Sequence, residues 1–232
     1  MVEKQESLFI LENEITRCRK CPRLVVWREE VAREKRKAYL DWKYWGKPVP
    51  GFGDHQAQVL VVGLAPGAHG SNRTGRMFTG DSSGDFLYPA LFTAGFANIP
   101  QAISREDDLQ LRDMFISAVC RCVPPGNKPK ADEIANCLPY LEFEIDLLSS
   151  LQVIVALGRI AFDQTLRIYR ARTGEKLNFD FKHLGVYRLG DDLPWLLSSY
   201  HPSRQNTQTG RLTAPMFAEV WTTVNEILAG ED

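Results

Sequence analysis

A chain of 232 residues, 44% hydrophobic and of net charge −1, can bury one sizeable core and is expected to form a single α/β domain over residues 1–232. The amino-terminal stretch MVEKQESLFILENEI is acidic, and no segment approaches the about 18–20 apolar residues of a membrane span; a membrane protein is excluded and a soluble, cytoplasmic one expected. Net charge conceals its distribution, because residues 17–47 hold eleven Lys/Arg against four acids, a local +7. Such a stretch suits a face turned toward phosphates or a solvated charged helix.

Residues 5–16 read as a short helix that ends before Cys18-Arg-Lys-Cys21-Pro22. A second helix is expected over 22–40, with Leu24, Val25, Val31 and Leu40 on its apolar face, until Pro48, Pro50, Gly51 and Gly53 break the pattern. Residues 1–57 are thus a basic, cysteine-bearing segment packed on the domain. A strand over 58–64 then feeds a loop with six glycines between Gly63 and Gly84, followed by a helix over 84–95. Glycines at this density let a ligand approach the main chain closely, and a loop leaving a buried parallel strand opens where α/β folds bind ligands.

Further strands are expected at 114–120, 153–157 and 195–199, and helices at 131–150, 158–172 and 213–228. Strands separated by helices imply a three-layer α/β/α sandwich around a four-stranded parallel sheet.

Five cysteines occur, at 18, 21, 120, 122 and 137. Cys18-x2-Cys21 and Cys122-x14-Cys137 supply four thiolates in two pairs, a set suited to tetrahedral zinc or to an iron–sulfur cluster. Cys120 alternates with Cys122 along a strand and could replace it as a ligand. Disulfides are not expected in a cytosolic chain.

Three strand tips carry polar groups able to converge: Asp81, Asn127 and His201. A carboxylate, an amide and an imidazole form a working set for cleaving an N-glycosidic bond, where positive charge grows on the sugar and negative charge on the departing base. Asp81 would stabilise the sugar cation or position water, His201 would donate to the base, and Asn127 would read its edge. Phe78 would offer a stacking face worth ~1–3 kcal/mol. Each has a plainer alternative: Asp81 as a helix cap, His201-Pro202-Ser203 and Asn127 as turns, Phe78 as core. The loop lacks GxxxxGK[ST], which argues against a nucleotide hydrolase.

The run from Gly63 through Ala65, Arg73, Arg76 and Phe78 to Asp81, the run from His201 to Thr213, and the cysteine layout closely resemble the family 5 (type B) uracil-DNA glycosylases of bacteria and archaea. The resemblance implies a uracil-DNA glycosylase fold and a monomeric, monofunctional DNA repair enzyme that removes uracil and other deaminated bases such as hypoxanthine and xanthine. It also implies a 4Fe-4S cluster on Cys18, Cys21, Cys122 and Cys137, leaving Cys120 as an extra thiol. Gly63, Ala65 and Phe78 would line the base pocket, with Asp81, His201 and Asn127 catalytic. Arg73, Arg76, Ser203, Arg204, Asn206, Arg211 and Leu212 would face DNA, Leu212 either as a wedge in the base stack or as an anchor to the core. Compared with the iron–sulfur family 4 enzymes, Leu64 stands where they carry an acid, and Ser117 roughly where they carry a base-reading asparagine. Met77 replaces the proline usual before the motif phenylalanine. A non-catalytic iron–sulfur protein that binds damaged DNA is the alternative.

Overall fold

A computed structural model describes residues 2–230. Helices α1 (Val2–Arg17) and α2 (Pro22–Glu34) come first, then a 3-10 turn at Lys37–Tyr39. The chain continues through β1 (Phe52–Gly53), β2 (Val59–Gly63), α3 (Ser71–Thr74), α4 (Ser82–Thr93) and β3 (Met114–Ala118). After a 3-10 turn at Pro125–Asn127 come α5 (Ala131–Leu147), β4 (Val153–Leu157), α6 (Arg159–Thr173), β5 (Gly185–Arg188), β6 (Trp195–Ser199), α7 (Arg204–Gln208) and α8 (Ala214–Ala229).

The sheet has six strands in the order β1-β3-β2-β4-β6-β5. Its four central strands are parallel, as expected, and the two edges pair antiparallel. Along β2 the side chains alternate between two cores: Val59 and Val61 meet α4 and α8 through Leu87, Phe217 and Trp221, while Leu60 and Val62 meet α5 and α6 through Leu141 and Phe162. Burial on both faces explains why these strands read as unbroken apolar runs. The architecture is the expected α/β/α sandwich, widened by two short edges.

Helix α2 stops at Glu34, earlier than the expected residue 40, because Lys35 takes φ 57°. The amino-terminal helix packs on α5, with Leu11 and Ile15 against Tyr140. Among the described residues no helix is long and apolar enough to cross a membrane. All four parallel strands point their carboxyl ends at one edge, which brings the glycine loop, the segment after β3 and the segment after β6 together.

Candidate active site

A cleft of about 500 Å³ opens at that edge, lined by Gly63, Ala65, Phe78 and Asp81 from the glycine loop, Ala118 and Asn127 from the β3 side, and His201, Ser203 and Arg204 from the β6 side. A second hollow, of about 260 Å³ beneath α1, contains none of the three strand-tip polar groups.

Asp81 does two things at once. Its Oδ1 accepts from the backbone N–H groups of Ser83 and Gly84 at 3.0 and 3.1 Å, capping α4. Its Oδ2 turns toward the loop's other limb, where a Cβ at Gly70 would stand 1.9 Å away. Only glycine at position 70 admits the carboxylate. Burial pushes the Asp81 carboxyl up, opposed by the two capping N–H groups. The cap and the site residue are therefore the same side chain.

His201 sits half-buried at the tip of β6, and burial lowers its pKa to about 4. It is neutral at physiological pH and presents one N–H as a donor. Its carbonyl accepts from Asn206 Nδ2 at 2.9 Å, which holds the turn. The Phe78 ring lies beside that of His201, centroids 5.8 Å apart and planes tilted 30°. Phe78 reaches this place with φ 52° and its ring crosses Gly63, where a Cβ would stand 2.8 Å from Cζ. Asn127 is exposed at the rim, in a left-handed turn with φ 57°.

Three residues expected to face DNA do not. Arg73 is 4% exposed, its Nε on the His69 carbonyl and its Nη2 on the Gly80 carbonyl. Arg76 is buried too, bonded to Thr79 and Asp107. Leu212 is fully buried in the core with Phe217, so in the free protein it anchors its loop. Ser203 caps α7 at the cleft wall, and Asn206 is committed to the His201 carbonyl. Arg204 and Arg211 are exposed, Arg211 over the Tyr200 ring at 4.6 Å. Ser117, aligned above with a base-reading residue, turns away from the cleft and donates to Glu144 at 2.5 Å. Its neighbour Ala118 lines the cleft instead, as does Ser71, neither of which the sequence singled out, together with Gln205 of the loop after β6. Strand alternation at β3 was the available signal for Ala118.

The four paired cysteines gather between α1, α2, the segment after β3 and α5. Burial raises the Cys122 thiol to about 12, with Cys137 and Cys18 adding to the shift and Arg28 opposing it. Cys21 is raised by burial, and by the same Cys137 and Cys18. Cys120 lies deeper, beside Cys137, and their interaction lowers the Cys137 thiol. Arg28 donates to Cys122 Sγ at 2.9 Å. The Nε atoms of buried Arg28 and Arg121 find no hydrogen-bond partner in the protein. Buried cations with orphaned N–H groups beside a set of thiols fit an anionic thiolate-held group. Among the described residues no three His, Cys, Asp or Glu side chains close on a single-ion site.

Comparison with known proteins decides the family. Residues 50–225 match the Uracil DNA glycosylase superfamily. The type-5 uracil-DNA glycosylase of Thermus thermophilus is 52% identical over 206 residues, covering 89% of this chain and 91% of that one. The chain is a type-5 member of the uracil-DNA glycosylase superfamily. Similar proteins of the same name come from Mycobacterium leprae, 48% identical over 93% of each chain, and from Pyrobaculum aerophilum, 44% identical over 90% of this chain and 88% of that one. In this glycosylase the two runs that carried the resemblance, around Asp81 and His201, form opposite walls of one cleft.

Proposed function

We propose that this uracil-DNA glycosylase, a hydrolase of N-glycosyl bonds, releases uracil from DNA in the cleft bounded by Asp81, Phe78 and His201, and that the same cleft accepts hypoxanthine and xanthine. The observation that carries the reading is the convergence of a capped carboxylate and a neutral imidazole beside one aromatic ring.

A flipped base stacks on Phe78, a mode that tolerates any base because every base has a π-face. The carbon–nitrogen bond then breaks and leaves its electron pair on the base. Neutral His201 donates its N–H to the base oxygen that gains charge, and no proton need move from an imidazolium. Asp81 faces the sugar cation and orients the water that adds hydroxide to it, while the water's other proton goes to the departing base. Asn127 reaches the base edge from the rim. The small side chain of Ala118 at the wall leaves space for a purine, which supports the broader substrate range. Exposed Arg204 and Arg211 supply phosphate contacts.

Cys18, Cys21, Cys122 and Cys137 would hold the 4Fe-4S cluster, which supplies a structural cross-link joining the amino-terminal segment to α5 and the segment after β3. Arg28, which donates to Cys122 Sγ, would offset part of its charge.

Base release from oligonucleotides carrying one uracil, hypoxanthine or xanthine, using anaerobically purified protein, tests both parts. Free base with an alkali-labile abasic site is expected from all three. Release of uracil alone would remove the broader range, and binding without any release would make the protein a damaged-DNA binder. Iron and sulfide near four atoms each per chain are expected, and zinc in their place would overturn the cluster.

A further inference from the structure

Arg73 lies in the glycine loop and hydrogen-bonds the loop to itself. Nε donates to the His69 carbonyl at 2.7 Å and Nη2 to the Gly80 carbonyl at 2.8 Å. One planar fork thereby ties the limb that enters α3 to the limb that leads into Asp81. Glycine at position 80 is what admits it, since a Cβ there would stand 2.4 Å from Nη2 and φ is +73°.

The other side of the guanidinium is fixed by the basic segment. Its central carbon lies 4.0 Å from the ring centroids of both Tyr39 and Trp42, which meet edge to face and form a corner around the cation. Backbone bonds fasten the same contact: Trp45 N–H donates to the Arg73 carbonyl at 2.9 Å and Gly46 N–H to the Asn72 carbonyl at 3.1 Å. Residues 39–46 thus strap α3 from outside.

Asp81 is where the two limbs meet. With Oδ1 fixed on α4 and Oδ2 against Gly70, its aim follows the separation of the limbs, and Arg73 sets that separation. We propose that Arg73, held in the aromatic corner of Tyr39 and Trp42, is the positioning residue for Asp81 and fixes the carboxylate's aim. The proposal rests on the reading of Asp81 as the catalytic carboxylate. Among the groups around Asp81, Asp85 on α4 disfavours the ionised form and Arg73 favours it, His201 across the cleft is neutral, Arg204 on the far wall is exposed to solvent, and buried Tyr88 on α4 keeps its proton. A buried arginine thus offsets part of the burial that raises this carboxyl.

The test is the pH dependence of uracil release, with kcat and KM for DNA separated, in Arg73→Gln, Arg73→Lys, Trp42→Leu and Asp81→Asn. Misplacement of a catalytic group costs roughly 10²-fold, so Arg73→Gln should lose kcat on about that scale with KM little changed. The acid limb of its profile should move to higher pH. Arg73→Lys keeps the charge without the fork and should restore the limb but only part of the rate. Trp42→Leu, at a half-buried site, should act in the same direction more weakly, and it keeps the test open if Arg73→Gln does not fold. A raised KM with kcat and acid limb unchanged would make Arg73 a DNA contact and overturn the proposal. So would a rate loss that merely follows a lowered Tm while the limb stays in place. Full activity of Asp81→Asn would sink the catalytic reading itself, whereas an inactive Asp81→Asn beside normal Arg73 variants would sink only the positioning role.

Discussion

The ring of Phe78 rests against that of His201, centroids 5.8 Å apart, and crosses the bare backbone of Gly63 to get there. The stacking face and the hydrogen-bond donor therefore share one support. A methyl group at residue 63 would stand 2.8 Å from the Phe78 ring. Gly63→Ala should displace Phe78 and, through it, His201. Loss of stacking worth ~1–3 kcal/mol predicts a fall in kcat/KM of about 5- to 150-fold, measured under single-turnover conditions. A lowered Tm with unchanged base release would show that the backbone, not the ring, had yielded.

Asp81 combines a cap with a charge, and two substitutions separate them. Asparagine caps about as well as aspartate, whereas alanine costs about 1 kcal/mol. Both should lose base release by about 10²-fold or more, the lower end of what a positioned acid–base group contributes. Only Asp81→Ala should also lose thermal stability, by about 2–4 °C for a chain of this size. Equal Tm values for the two variants would show that the Asp81 side chain contributes nothing as a cap.

The His201 imidazole is neutral in the fold, its pKa lowered by burial to about 4 from an ordinary 6.5. The unfolded chain therefore binds more protons than the folded one between these values. The stability that goes with neutral His201 is complete above about pH 6.5 and is lost as pH falls through about 4. The loss is no more than about 3 kcal/mol, reduced further because the residue is half-buried and not sealed from water. Chemical denaturation along this range should show His201→Gln losing less stability than the wild type as the solution is acidified. Parallel curves would mean that the imidazole stays reachable by protons.

The four central strands were legible because each is an apolar run long enough to cross a buried parallel sheet, as in Val153–Leu157. The edges were not: Phe52–Gly53 spans two residues, and Gly185–Arg188 has an exposed, mixed pattern. The convergence of Asp81 and His201 on one cleft was readable from their place after strands. Arg73 and Arg76 were misread because arginine in a glycine loop looks like a phosphate contact, while their burial depends on remote partners. Arg73 needs Tyr39 and Trp42, and Arg76 needs Asp107, 31 positions downstream. Tertiary packing of that kind leaves no local trace.

Leu212 and Arg204 flank one short segment and should respond in opposite ways. Leu212 is sealed in the core beside Phe217, so Leu212→Ala should cost about 2–5 kcal/mol through the cavity it leaves. Its affinity for abasic DNA should stay unchanged at temperatures where the variant is folded. Arg204 is exposed at the cleft rim, and Arg204→Ala should leave Tm in place while weakening DNA binding. The slope of log K against log salt should shrink by about 1 for the lost phosphate contact. Thermal melts and salt-dependent fluorescence anisotropy on both variants check this division. If Leu212→Ala instead kept its Tm and lost affinity for abasic DNA, the side chain would have to leave the core and enter the base stack on binding, and the loop would be mobile where the free protein holds it packed.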